Sequence, residues 1–307
     1  MKALFFDKTP VYTTSYAKPV PAPNQSLVKI LMAAICNTDR EVMKGYKPGF
    51  TGILGHEFVG IVEESSDTAL VGKRVVGELN AGCKTCLYCT TGREHHCTTR
   101  KVLGMDGKDG CFAEYMTIAT DLLHIVPNDL PTEQAIFCEP LAAALEVVEQ
   151  SHLRPSQEVA LVGDGRLAYM IGQVIALQGT PLTVFGHSTQ KLAMFAPFAK
   201  TSLQPTGSFE VVVEASGSPS GLETAIALTR SMGLLVLKST YAGLTPLNTS
   251  ELVVREITLR GSRCGPFVPA LNLLQRGQIT LPPIELFPLQ EYEQAFASRA
   301  FKVGFKF

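Results

Sequence analysis

Four cysteines fall within fifteen residues at the spacing Cys83-x2-Cys86-x2-Cys89-x7-Cys97. Four thiolates so close together can close a tetrahedron around one zinc ion, which leaves no coordination position for a substrate. The spacing predicts a structural zinc that holds the long loop from Asn80 to Arg100. His95 and His96 precede Cys97, but four sulfurs already suffice, so both are expected to be solvated. A second set of ligand types is more dispersed: Cys36 in Cys36-Asn37-Thr38-Asp39, and His56 with Glu57 in Gly55-His56-Glu57-Phe58-Val59-Gly60. A thiolate, an imidazole and a carboxylate suit a catalytic zinc if one position stays open for water or a substrate oxygen. Glu57 or Glu139 could complete that set or orient a bound water.

A third feature is the turn Gly163-Asp164-Gly165-Arg166-Leu167-Ala168, which follows the apolar run Val159-Ala160-Leu161-Val162 and opens a helical pattern. In that setting G-x-G-x-x-A is a dinucleotide-binding turn. The first glycine allows the tight bend, the second lets backbone approach the pyrophosphate, and the small third residue packs helix on strand. The helix N-terminus favours the phosphate charge. The next strand ends Phe185-Gly186-His187-Ser188, with no carboxylate for a ribose 2′-hydroxyl. Gly186 aligns with the usual acidic position, and His187, Ser188 and Lys191 are candidate partners for a 2′-phosphate. The sequence therefore favours NADP(H) over NAD(H), with NAD(H) held through other contacts as the alternative.

The elements that must position these residues change character along the chain. The first 130 or so residues carry short β-branched runs broken by Gly, Pro and Asn, as expected of a mostly antiparallel, barrel-like domain. Thr132 to Gln150 has helical spacing interrupted by Pro140. From Glu158 onward strands and helices alternate, and the strands are apolar throughout, which predicts a parallel sheet covered on both faces. The region from Gln190 to Phe209 is short, with room for one helix and an abbreviated or missing third strand. After about residue 270 the pattern is helical, then ends in Phe301-Lys302-Val303-Gly304-Phe305. The fold class is thus α/β, with the first domain over 1–143 and 270–307 and a Rossmann dinucleotide-binding domain over 144–269.

Bulk properties agree with an enzyme of small molecules. The chain has 307 residues, 46% hydrophobic and 18% charged, enough for two domains. A formal net charge of -1 gives no reason to expect nucleic acid or an acidic membrane surface as partner. No apolar stretch is long enough for a membrane span, and the N-terminal run is too short for a signal peptide, so a cytoplasmic location is expected. Clustering of half the eight cysteines fits metal in a reducing compartment better than disulfides.

Taken together, Cys36-Asn37-Thr38-Asp39, Gly55 to Gly60, the four-cysteine loop, Gly110-Cys111-Phe112-Ala113-Glu114-Tyr115, Glu139-Pro140-Leu141 and the glycine turn resemble the zinc-containing medium-chain dehydrogenase/reductase family. The resemblance covers nearly the whole chain. It implies a GroES-like catalytic domain, two zinc ions per chain, one catalytic and one structural, and a nicotinamide dinucleotide. It implies that Cys36 and His56 ligate the catalytic zinc, with Glu57 a supporting or exchangeable ligand. Glu139, in its Glu-Pro-Leu setting, is implied as third ligand, directly or through water; Cys138 is the alternative. Thr38 would relay the alcohol proton. Many relatives extend that relay with a His where this chain has Glu41. Ser216, Ser239 and Tyr241 resemble positions flanking the nicotinamide, and Lys302 resembles a basic residue that reaches the cofactor phosphates. The implied reaction is hydride transfer between the dinucleotide and an alcohol, polyol or sugar, or the corresponding carbonyl, in a homo-oligomer (dimer or tetramer). Two other readings stand beside it: a zinc-independent enone or quinone reductase on the same fold, and a non-catalytic NADP(H)-binding sensor or structural protein.

Overall fold

The computed structural model describes residues 1–240 and 245–307, so Tyr241 lies outside the described residues. The chain divides into two compact units, Met1–Glu139 with Phe267–Phe307, and Pro140–Pro266. Among the described residues no helix is long and apolar enough to cross a membrane.

In the first unit the hub is the strand Gln25–Ala34, whose Leu27, Val28, Ile30, Met32, Ala33 and Ala34 are all buried. It pairs antiparallel with Glu57–Ser65, with Tyr115–Ala119 and with the C-terminal strand Lys302–Lys306. Together with Arg74–Gly77, Leu123–Ile125 and Ile284–Pro288 these form a seven-stranded sheet, mostly antiparallel. Small residues let the strands close up where the hub ends. A Cβ on Gly304 would lie 2.5 Å from the Ala33 carbonyl oxygen. Ile284–Pro288 sits at the sheet edge, opposite in kind to the helix expected after residue 270. Prolines at 282, 283 and 288 bracket the run, and an edge tolerates residues that cannot donate to a ladder. The helix of that region is shorter, Phe267–Gln275, with Tyr292–Ala297 following the strand.

The second unit is a six-stranded sheet, parallel in every pairing. Its order is Lys200–Ser202, Leu182–Phe185, Val159–Val162, Phe209–Glu214, Thr229–Leu237, Thr258–Gly261. All four residues of Val159–Val162 are buried, as required of a central strand with helices on both faces. The chain runs outward from that strand to one edge, then returns to its other side, so the strand order reverses beside Val162. Ligands of such sheets bind outside the carboxyl ends of the strands at that reversal. The third strand survives at three residues, largely exposed, preceded by a four-residue helix, Thr189–Leu192. Pro140 does not break its helix, which runs Cys138–Ser151: it lies in the first turn, where a missing N–H costs nothing.

Candidate zinc and dinucleotide sites

Register gathers the dispersed ligand types. Ala34 pairs with Glu57 on one side and with Gly304 on the other. Antiparallel pairing then sets Cys36, leaving the hub strand, beside His56, entering the next one, and across from Lys302, beginning the last. Gly55 permits the approach to His56 at φ +95°, where a Cβ would stand 2.4 Å from the Phe112 ring. One ligand atom each from Cys36, His56 and Glu57 lies within 4.8 Å of the others. Tetrahedral donors about 2.0–2.3 Å from a common zinc stand about 3.3–3.8 Å apart, inside that limit.

Asp39 organises this group, and no ligand reasoning from sequence had singled it out. Cys36 caps the helix Asn37–Met43, and its backbone N–H donates to Asp39 Oδ2 at 2.8 Å. The spacing Cys-x-x-Asp at a helix start was the available signal. The other carboxylate oxygen, Oδ1, lies 3.2 Å from His56 Nδ1, and neither atom is hydrogen-bonded elsewhere. A carboxylate behind one ring nitrogen leaves the other to face Cys36, the arrangement metal-bound histidines usually show. Burial disfavours the imidazolium, but Asp39 and Cys36 outweigh it and hold the His56 pKa well above its ordinary value.

Glu57 is almost fully buried and forms an ion pair with Lys302, itself 4% exposed and set 5.8 Å from the Phe137 ring. The ammonium expected to reach cofactor phosphates is therefore held against Glu57 within this unit, because register starts its strand opposite Cys36. Thr38 is half-buried, with its hydroxyl 3.6 Å from Cys36 Sγ. Glu41 points its carboxylate at Lys44, 2.9 Å away. Glu139 stands outside the group formed by Cys36, His56 and Glu57. Cys138 is also outside it: buried, it donates to the Phe267 carbonyl at 3.8 Å, and burial pushes its thiol pKa well up.

The four-cysteine loop is compact. All four sulfurs lie within 4.8 Å of one another. Sγ of Cys89 is 4.0 Å from that of Cys83 and 3.6 Å from that of Cys86, too far for disulfides. A tetrahedron of sulfurs about 2.3 Å from its centre has edges of about 3.8 Å, so the donor set fits zinc. Backbone supports it: the N–H groups of Cys83 and Cys86 donate to Cys97 and Cys83 sulfurs, each at 3.4 Å. The Thr85 hydroxyl and nearby amides hold the Cys83 pKa down at about 5, whereas burial pushes Cys89 up to about 12. Gly82 is required here, since a Cβ would meet Cys89 Sγ at 2.6 Å.

In the second unit the glycine turn separates two requirements. Gly163 has φ +129°, and a Cβ there would meet the Ala215 carbonyl oxygen at 2.6 Å, so the fold itself needs it. Gly165 caps the helix Arg166–Ala176 in an extended conformation, with nothing within 4 Å of where a Cβ would be. That open space is the cradle a pyrophosphate would fill. Arg166 and Leu167 are half-buried in the first turn, and Ala168 is fully buried against the sheet. At the next strand end, Asp164 Oδ2 accepts from the His187 and Ser188 N–H groups, each at 2.9 Å. Ser188 in turn caps Thr189–Leu192 through the Lys191 N–H. Farther along, buried Glu214 accepts from the hydroxyls of Ser216 at 2.6 Å and Ser239 at 3.1 Å. The latter two thus join one cluster at adjacent strand ends.

A mostly antiparallel unit with a thiol–imidazole–carboxylate group, joined in one chain to a parallel sheet with a glycine-rich turn, is an arrangement suited to a two-domain metal-dependent oxidoreductase. The alcohol dehydrogenase GroES-like domain family matches residues 22–128. A zinc-type alcohol dehydrogenase-like protein of Haemophilus influenzae is 29% identical over 289 residues, 85% of this chain and 84% of its own length. The D-arabitol-phosphate dehydrogenase of Enterococcus avium is 29% identical over 310 residues, 91% of this chain and 87% of its own. Among solved structures, an alcohol dehydrogenase from Thermus sp. ATN1 superposes with a TM-score of 0.89 at 25% identity, over 100% of both chains. The chain carries an alcohol dehydrogenase GroES-like domain at residues 22–128, is similar over most of its length to zinc-containing medium-chain dehydrogenases, and is an enzyme of the alcohol and polyol dehydrogenase type.

Proposed function

We propose that the chain transfers a hydride between a nicotinamide dinucleotide and the carbinol carbon of an alcohol or polyol, with zinc held by Cys36 and His56. The observation that carries this reading is the register that sets Cys36, His56 and Glu57 within one ligand-sized group, with Asp39 behind the histidine. Glu57 has its charge answered by Lys302. On this reading the third ligand is Glu139, directly or through water, with Glu57 a supporting or exchangeable ligand. When bound, zinc supplies Lewis acidity toward a hydroxyl or carbonyl oxygen, and the dinucleotide supplies the hydride acceptor or donor.

The chain's own residues do the rest. Asp39 fixes the ring of His56 and receives the Cys36 amide, so both donors keep their aim without reorganising. Thr38, half-exposed beside Cys36, accepts the substrate hydroxyl proton and hands it toward solvent. With Glu41 engaged by Lys44, that proton has no second side chain to follow at this position. Lys302 neutralises Glu57, so the group carries less negative charge than its residue types suggest. Four thiolates at Cys83, Cys86, Cys89 and Cys97 hold the second, structural zinc.

A polyol or sugar substrate is favoured by the Glu139-Pro140-Leu141 context and by relatives named for sorbitol and D-arabitol phosphate. A panel of alcohols, polyols and sugar alcohols, with both dinucleotides, tests the reading. At least one should yield reduced nicotinamide, with the rate abolished by a chelator and restored by added zinc. Turnover that survives complete removal of zinc would instead support a zinc-independent reductase.

A further inference from the structure

The second strand of the dinucleotide sheet ends at Phe185 without a carboxylate, yet the structure brings one there from another place. Asp164, the residue between the two glycines of the phosphate turn, lies against Gly186, His187 and Ser188. Its Oδ2 is fixed by the amides of His187 and Ser188, and its side chain is only 13% exposed. Its Oδ1 has Lys191 Nζ at 3.8 Å. The three nearest atoms that a Cβ on Gly186 would meet, at 2.7–3.0 Å, all belong to the Asp164 side chain. The carboxylate at 164 and the bare backbone at 186 are therefore two halves of one exchange. The carboxylate at this strand end is thus supplied by the turn that faces it.

In dinucleotide folds a carboxylate at this place accepts from the adenosine ribose 2′-hydroxyl and excludes a 2′-phosphate. We propose that Asp164 is the residue that selects NAD(H) over NADP(H), with Oδ1 accepting from the ribose 2′-hydroxyl. This rests on the dinucleotide-binding reading above and reverses the preference for NADP(H) expected from the sequence. The groups that would have cradled a 2′-phosphate are already engaged. Two backbone donors are spent on Oδ2, and the Lys191 charge is offset by the same carboxylate. A phosphate arriving there would face a fixed negative charge, and like charges brought together cost affinity steeply.

Dissociation constants for NADH and NADPH, measured by titration calorimetry on the zinc-loaded full chain, decide the matter. The wild type should bind NADH about 10- to 100-fold more tightly than NADPH. Asp164→Asn keeps an oxygen for the two amides while removing the charge, so NADPH should tighten and the ratio should approach one. Asp164→Gly should also erase the preference, and the exchanged pair Asp164→Gly with Gly186→Asp should restore it. Wild type binding NADPH as tightly as NADH overturns the assignment. So does an Asp164→Asn variant with an unchanged ratio, or one that weakens both dinucleotides equally, since Asp164 would then only shape the turn. Binding of neither dinucleotide by the wild type would fell the dehydrogenase reading itself, and this inference with it.

Discussion

His56→Ala is expected to lower turnover by at least about 10³-fold, the equivalent of losing several kcal/mol of Lewis-acid stabilisation. The imidazole is 3% exposed and held by Asp39, so its removal takes away one of the two side chains proposed to hold zinc. It also takes away the group facing Oδ1 of the buried Asp39 carboxylate, so some stability goes with it. Activity and folding are separated by measuring both: steady-state rates on the best substrate of the panel, and thermal unfolding of the same preparation. A cooperative melt with lost turnover is the expected pair of results. Near wild-type turnover from a folded His56→Ala protein would remove zinc from the reaction.

The second large effect concerns stability. Cys97→Ser should lower the melting temperature by roughly 5 °C, since structural zinc contributes folding energy outright and a loss of a few kcal/mol shifts a chain of this size by about that much. Cys97 is fully buried, and its sulfur receives the Cys83 amide at 3.4 Å. A serine offers neither thiolate charge nor zinc–sulfur bonding. Without the ion, the sulfurs at 3.6–4.0 Å separation lose what draws them together, and the loop around them has little regular structure to fall back on. Differential scanning calorimetry of wild type, chelated wild type and variant gives the comparison. An unchanged melting temperature in all three would mean that the loop holds itself.

Much of this molecule is legible in the sequence, for identifiable reasons. The four cysteines announce themselves because they lie close together in the chain, so spacing alone brings their sulfurs within 4.8 Å of one another. The glycine turn is readable because its backbone demands are local: Gly163 needs positive φ, and Gly165 needs an empty place for a Cβ. Strand–helix alternation reveals the parallel sheet because a strand buried on both faces, such as Val159–Val162, must be apolar throughout. The proposed zinc group at Cys36 and His56 is different. Cys36, His56 and Lys302 meet only through the pairing of Ala34 with Glu57 and Gly304, and register between distant strands leaves no mark on any one segment. Lys302 could thus be read as a cofactor contact, whereas the structure pairs it with buried Glu57. Asp39 and Asp164 were hidden for a related reason. Each acts by what its second oxygen touches, on His56 in one case and beside the end of the neighbouring strand in the other. Ile284–Pro288 escaped because its alternation is brief and its flanking prolines read as loop.

One zinc at Cys36 and His56 and another in the four-cysteine loop would make this a two-zinc enzyme. The most direct test of that assignment is the zinc content per chain, by elemental analysis, of wild type and Cys36→Ser. Two zinc ions are expected in the wild type and one in the variant, with the four-cysteine site still filled. One zinc in both proteins would contradict it: the metal would then be structural alone, and the chain would be a dinucleotide-binding protein without a catalytic metal.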